Sequence, residues 1–267
     1  MIVDFHSHTT NSDGSLSTPE LVAAMERRGV SVFAITDHDS VRAYAELPPT
    51  KARTVPGIEI NTTRDGVDVH ILGYGFSPAA DGALARTLRA NQEARRARIR
   101  TMVERLARAG YPLTDEMVAA EAKGSESLGR PHVAKALVRA GMVRDVQTVF
   151  AQLISRNGPA YVPSSHISAP EAIEAIVQSG GVPVLAHPGR LHDYAVVDDL
   201  AERGLLGIEV FYPTHTTAQV AYFRAQAARL GLVMTAGSDF HDARWNASVV
   251  GVEVEAGDIE PFLELVA

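Results

Sequence analysis

The chain of 267 residues has no cysteine, a single Trp (Trp245) and an aromatic fraction of only 6%. Without thiols it forms no disulfide, no iron–sulfur cluster and no thiolate-held zinc site, so any metal has to be held by nitrogen and oxygen. Long apolar runs are also missing: no window approaches the roughly 20 residues of a membrane span. The N-terminus opens on strand-like Ile2-Val3-Asp4-Phe5 with no basic-then-apolar leader, which leads us to expect a cytoplasmic protein. Absence of thiols agrees with a reducing compartment. There is no internal repeat, low-complexity tract or heptad stripe, and so no sign of an obligatory protein partner.

What is present suffices for a full core, at 46% hydrophobic residues. Apolar runs rich in Val and Ile predict strands over 2–5, 31–35, 54–60, 67–74, 182–186, 206–211, 233–236 and 249–254. Helices are expected in many of the gaps. Ser17-Thr18-Pro19-Glu20 and Ser168-Ala169-Pro170-Glu171 are both capping-box starts, and Gly29, Gly180, Gly204 and Gly231 read as helix ends. Repeated strand–helix units predict an α/β fold with a mostly parallel sheet closed into a barrel.

Residues 76–160 break that rhythm. No strand is evident there, while 81–109 and 131–140 have helical composition, so we expect a helical insertion (76–160) on a barrel built from 1–75 and 161–267. The segment holds 14 Lys and Arg against 8 Asp and Glu, net +6, which leaves −13 for the remainder of a chain of net charge −7. Arg86, Arg89, Arg95, Arg96, Arg98, Arg100, Arg105 and Arg108 fall within it. Such a stretch is either a solvated helix face or a basic lid that steers polyanions towards an acidic site.

Imidazoles and carboxylates gather at strand ends. His6 and His8 follow the first strand, His38 the second, Glu59 closes the third, His187 follows the fifth, and Asp239 and His241 the seventh, with His70 inside the fourth. In a barrel these ends share one rim, where a hard or borderline divalent ion finds the donors it requires. One His at a strand end is usually structural; this many at one rim is a metal-site pattern.

His6-x-His8 with Asp13, Thr36-Asp37-His38-Asp39, Gly57-Ile58-Glu59, Ala186-His187-Pro188 and Gly237-Ser238-Asp239-Phe240-His241 together resemble the successive motifs of the polymerase and histidinol phosphatase (PHP) superfamily. The resemblance spans nearly the whole chain. It implies a distorted seven-stranded β/α barrel with two or three divalent metals: His6, His8, Glu59 and Asp239 at the first position, Asp13, His38 and His241 at the second, Glu59, His70 and His187 at the third. Asp13 stands where some members have His, and the added negative charge favours manganese, or iron, relative to zinc. Asp37 and Asp39 are expected to orient ligands or cap a helix.

The implied chemistry is phosphoester hydrolysis by a hydroxide bridging two ions, with no side-chain nucleophile. The absence of a Gly-x-Ser-x-Gly elbow agrees with water as the attacking group. Beyond the metal ligands, His215 and Arg130 are the candidate catalytic groups, and Arg130, His132, Arg190 and His215 the candidate substrate contacts. With its inserted lobe and Gly129-Arg130-Pro131-His132, the chain resembles the branch that removes the 3′-phosphate of 3′,5′-bisphosphonucleosides such as pAp and trims short RNA from the 5′ end. The alternatives are a histidinol-phosphate phosphatase and a noncatalytic, regulatory metal-binding barrel.

Overall fold

A computed structural model describes residues 1–77, 82–164, 167–243 and 249–267. Asp81, where the long helical stretch is expected to begin, and Trp245 lie outside the described residues. In chain order the first part contains β1 (Ile2–Asp4), α1 (Thr18–Arg28), β2 (Val32–Phe33), β3 (Arg53–Thr54), β4 (Gly57–Arg64) and β5 (Val67–Tyr74). Then come α2 (Ala83–Arg108), α3 (Asp115–Ala122), α4 (Arg130–Arg139), the short α5 (Val146–Thr148) with a π-helical turn after it, and α6 (Ala169–Gln178). The chain finishes with β6 (Val182–Leu185), α7 (Val196–Glu202), β7 (Gly207–Phe211), α8 (Thr217–Leu230), β8 (Val233–Ala236), β9 (Val252–Glu253) and α9 (Ala256–Leu265).

Both capping boxes form. Ser17 Oγ and N meet Glu20 Oε2 at 2.7 and 2.8 Å, and Ser168 repeats the arrangement with Glu171. Helix α1 stops at Gly29 and α8 at Gly231, both left-handed at φ 76° and 67°, a conformation that glycine adopts without strain.

Instead of one closed seven-stranded sheet, the described strands form two open sheets, ordered β3-β2-β1-β9 and β4-β5-β6-β7-β8. The departure starts at Asp65-Gly66, whose φ values of 51° and 75° make a tight turn that returns β5 antiparallel along β4. β5 also pairs antiparallel with β6, and β9 runs antiparallel to β1, so among the named strands parallel pairs are those of β1–β2–β3 and β6–β7–β8. The expected third strand is divided as well: Thr54 ends β3, and Glu59 lies near the start of β4 rather than at a strand end.

The sheets meet at two isolated parallel bridges, Ser7↔Phe240 and His38↔Glu59. Asp239 N donates to His6 O at 2.7 Å, His8 N to Phe240 O at 2.9 Å, and Asp39 N to Glu59 O at 2.9 Å. The backbone seams therefore run through the predicted ligands. Below them Phe5, Tyr74 and Phe262 pack edge to face with centroids 4.8 to 6.5 Å apart, which seats α9 under the sheets.

Residues of α2 to α5 and of the π-helical turn bury a cluster of their own, including Ile99, Met102, Leu106, Val133, Leu137 and Val149. Only part of the basic character of α2 faces inward. Arg95 is buried and Arg98 half-buried, whereas Arg86, Arg89, Arg96, Arg100, Arg105 and Arg108 are exposed on the solvated face. No helix among the described residues is long and apolar enough to cross a membrane.

Candidate metal centre

His6, His8, Glu59 and Asp239 form one compact group. His6 Nε2 lies 3.3 Å from Glu59 Oε2 and 3.4 Å from Asp239 Oδ1; His8 Nε2 lies 3.2 and 3.3 Å from the same two atoms. Asp13, His38 and His241 form a second group, to which His8 is also close, with His241 Nε2 3.3 Å and His38 Nε2 3.8 Å from Asp13. A third surrounds the other oxygen of Glu59, where His70 Nδ1 approaches to 2.6 Å and His187 Nε2 to 3.3 Å, with His38 nearby. The antiparallel β5 explains how His70, from the middle of an apolar run, reaches this place: it pairs with Asn61, two residues beyond Glu59 on the same face of β4.

The donor set fits a divalent cation. His6 Nε2, His8 Nε2, Asp13 Oδ1, Glu59 Oε2 and His187 Nδ1 are buried and make no hydrogen bond. Each such atom costs about 1–3 kcal/mol unless something compensates it. Imidazole nitrogens and carboxylate oxygens, with no sulfur, suit manganese, iron or zinc. Within the protein alone, protons take the cation's part. Burial pushes the His8 imidazolium down, but Asp239 and Glu59 outweigh it and raise His8 to about 10. Burial likewise opposes the charge of Glu59, yet His38, His70 and His6 hold its carboxyl well below the usual range. Cation binding here displaces protons.

Beyond these groups lies a layer of buried acids. Glu209 Oε1 meets His6 Nδ1 at 3.0 Å, while its Oε2 accepts from His187 N at 2.7 Å. Asp37 accepts from Thr9 N, Thr9 Oγ1 and Ser12 Oγ, thereby shaping the loop that carries Asp13. Asp39, at φ 50°, accepts from Asn61, Asn91 and the Arg95 guanidinium (2.7 Å), and so ties α2 to the metal-binding face. Asp4 takes the N–H groups of Ser238 and Gly251. The roles expected for Asp37 and Asp39 agree with these contacts. Glu209 and Asp4 escaped the sequence reading because each sits inside an apolar run, and only the order Glu-apolar-apolar at a strand end hints at an inward carboxylate.

A cavity of about 650 Å³ opens over the three groups. Its floor includes Asp13, His38, Glu59, His70, His187 and Asp239, and its walls bring in Arg95, Arg98, Arg130 and Arg190. Arg130 lies over the Phe150 ring, 5.7 Å from its centroid. Arg190 Nη1 donates to Asp239 Oδ2 (3.1 Å), next to the Tyr212 hydroxyl, which donates to the same oxygen (2.9 Å).

Two expected substrate contacts are occupied elsewhere. His215 Nε2 accepts from Gly189 N at 3.0 Å and Nδ1 donates to Val210 O at 2.9 Å, so neither ring nitrogen is available to a leaving group. The side chain instead pins the turn that carries Arg190. His132 is buried, and its Nδ1 accepts from Gly129 N (3.0 Å), closing the first turn of α4 beside the loop that carries Ser12 and Asp13. Both departures reflect backbone N–H groups that claim the nearest imidazole nitrogen.

Burial lowers His132 from 6.5 to about 4. The unfolded chain then binds more protons than the folded one between these values, so stability is lost as pH falls from 6.5 towards 4, by about 3 kcal/mol in total. His132→Gln preserves the capping geometry without a titrating group. Urea midpoints measured between pH 7 and 4 should fall less steeply for this variant; an unchanged slope would remove His132 as a source of acid sensitivity.

No family model matches the chain. It is 34% identical over 263 residues to the phosphoribosyl 1,2-cyclic phosphate 1,2-diphosphodiesterase of Eggerthella lenta, covering 96% of this chain and 100% of that protein. Over 251 residues it is 35% identical to the 3′,5′-nucleoside bisphosphate phosphatase of Chromobacterium violaceum, covering 90% and 87%. Over 252 residues it is 32% identical to the 5′-3′ exoribonuclease Rnm of Escherichia coli, covering 90% and 85%. Among solved structures, a metal-dependent phosphoesterase from Bifidobacterium adolescentis superposes with a TM-score of 0.87 at 30% identity, over 98% of this chain and 94% of that one. An amidohydrolase from Chromobacterium violaceum, solved with sulfate and without metal, superposes equally well at 0.87 and 30%, over 98% and 95%. The chain belongs to the PHP superfamily of metal-dependent phosphoesterases, and it is a hydrolase of phosphoric ester bonds.

Proposed function

We propose that the chain removes the 3′-phosphate of 3′,5′-bisphosphonucleosides and trims short 5′-phosphorylated RNA, using two or three divalent ions, manganese being favoured. His6, His8, Glu59 and Asp239 hold one ion, Asp13, His38 and His241 a second, and Glu59, His70 and His187 a third. When bound, the ions supply Lewis acidity and a water nucleophile active at neutral pH. The observation that carries the reading is a cavity with an imidazole–carboxylate floor and arginines on its walls.

Such a cavity suits a substrate with two separated phosphates, one at the floor and one at the walls. Arg130, the first residue of α4, and Arg98 bind the phosphate that does not react. Arg95 is committed to Asp39 and positions α2. Arg190 neutralises charge at the floor, and His215 holds the Arg190 turn in place. A substrate with a cationic amine, such as histidinol phosphate, would meet these arginines unfavourably.

The test is phosphate release by manganese-loaded protein from pAp, AMP, a 5′-phosphorylated trinucleotide, histidinol phosphate and a ribose 1,2-cyclic phosphate diester. We expect pAp or the trinucleotide to have the highest kcat/KM. Arg130→Ala should reduce kcat/KM for pAp by about 10–100-fold, the worth of one charge-assisted hydrogen bond to phosphate, and far less for AMP. Preference for histidinol phosphate or the cyclic diester would reject the assignment.

A further inference from the structure

The cavity over the metal groups is lined in part by side chains that hydrolysis does not use. Ile99 of α2, Leu128 and Pro131 about the start of α4, and Val146 and Phe150 further on all border it. None of the five carries a group that binds a cation or a phosphate. They come from the same helices as the wall arginines: Ile99 directly follows Arg98, and Pro131 directly follows Arg130. Charged and apolar contacts are thus offered side by side.

Phe150 supplies a planar surface. It is half-buried, packed in part against the apolar cluster of the surrounding helices, and it also reaches the cavity. It stands in the π-helical turn Val149–Leu153, where Ile154 N donates back to Val149 O at 3.2 Å. Turns of this kind are rare and recur at functional sites. The Arg130 guanidinium carbon lies 5.7 Å from the ring centroid. A guanidinium is itself planar, and its face stacks while its edge donates to phosphate. Ring and guanidinium therefore form one platform for a flat group next to a bound phosphate. Among the described residues the cavity has one other phenyl-type ring, Tyr212, and its hydroxyl is committed to Asp239 at the floor.

Phosphates and sugar hydroxyls gain nothing from an apolar wall, because burial against carbon removes their hydrogen bonds to water. A nucleobase does gain. Every base has a π face, and stacking on an aromatic side chain uses that face whatever the base. In a 5′-nucleotide the base and the 5′-phosphate stand on one ribose, so a phosphate at Arg130 brings the base within reach of Phe150.

We propose that Phe150, with the apolar side chains of Ile99, Leu128 and Val146, is a nucleobase subsite that makes the enzyme select a nucleoside over a bare sugar phosphate without reading which base is present. This rests on the nucleotide-hydrolase reading above and assigns the part of the substrate which that reading leaves unbound. Phe150 is a specificity-determining residue.

The test compares pAp with methyl riboside 3,5-bisphosphate, which has both phosphates and a methoxy group in place of the base. With manganese-loaded wild-type protein, kcat/KM should favour pAp by about 10–100-fold, the worth of one stacked base. Phe150→Leu keeps an apolar side chain against the neighbouring helices and removes the ring. It should lower that preference by about 5–10-fold, chiefly through the KM of pAp, while Phe150→Trp retains it. Any disturbance of Arg130 acts on both bisphosphates and cancels in the ratio. A wild-type preference below about twofold, or an unchanged preference in Phe150→Leu, would reject the subsite and leave hydrolysis of bisphosphonucleosides standing. The guanine and uracil analogues of pAp should lie within about tenfold of pAp, and a larger gap would overturn the claim that the base edge goes unread. If neither bisphosphate is hydrolysed while histidinol phosphate or the ribose 1,2-cyclic phosphate diester is, the nucleotide reading fails and the subsite with it.

Discussion

Glu59→Gln is expected to lower kcat by about 10³-fold, equivalent to about 4 kcal/mol of transition-state stabilisation, and to reduce bound metal by at least one equivalent. Glu59 is buried, and its two oxygens stand against five imidazoles: His70 and His187 at Oε1, His6, His8 and His38 at Oε2, all within 3.3 Å. A neutral amide keeps the volume and removes the charge. It also directs an N–H at nitrogens that are needed as donors to a cation, so positions on both sides of the residue weaken together. Metal content by elemental analysis, turnover on the preferred substrate and a thermal melt check this. A folded variant with full metal content and more than a tenth of wild-type kcat would show that Glu59 does not bridge.

Glu209→Gln should weaken metal binding about 10–100-fold without unfolding the protein, through the tautomer of His6. The carboxylate accepts from both its neighbours: His187 N–H donates to Oε2, and His6 Nδ1–H to Oε1, which leaves the His6 Nε2 lone pair for a cation. In the glutamine the amide oxygen remains with the His187 N–H, so the amide nitrogen faces His6 Nδ1. His6 must then carry its proton on Nε2, where the cation belongs. The side chain is closely packed, since a methyl at Gly237 would come within 2.5 Å of Glu209 Oε1. Titration of the metal-free protein with manganese against a competing chelator measures the effect. Affinity within twofold of wild type would mean that His6 is oriented by something else.

Much of the local structure was legible because it depends on neighbours in sequence. Ser17 with Glu20 and Ser168 with Glu171 form their caps from residues three apart. The strands over 67–74 and 233–236 appear with their expected bounds. The imidazoles and carboxylates expected at one rim lie close together, whereas their division into several groups was implied by the family resemblance and not by their positions at strand ends.

Where the reading failed, an interaction between distant residues was responsible. Asp65-Gly66 was available as a hairpin signal, but reading 54–60 and 67–74 as units of one parallel barrel hid the antiparallel return that brings His70 to Glu59. Arg95 reads like its neighbours in α2; the buried Asp39 carboxylate, 56 residues earlier, and the Leu128 carbonyl distinguish it. His215 has the composition of a catalytic histidine, and backbone groups at Gly189 and Val210 occupy both its nitrogens.

The sequence by itself determined the donor chemistry of this protein: with no thiol present and with histidines and acids beside strand ends, a nitrogen–oxygen metal centre follows from residue type and local periodicity. Only the tertiary structure decided which of those side chains face one another, which arginines line the cavity and which face solvent, and which histidines are already spent on the backbone. Hydrogen-bond partners and burial are settled by chain segments far apart in sequence, and no local pattern encodes them.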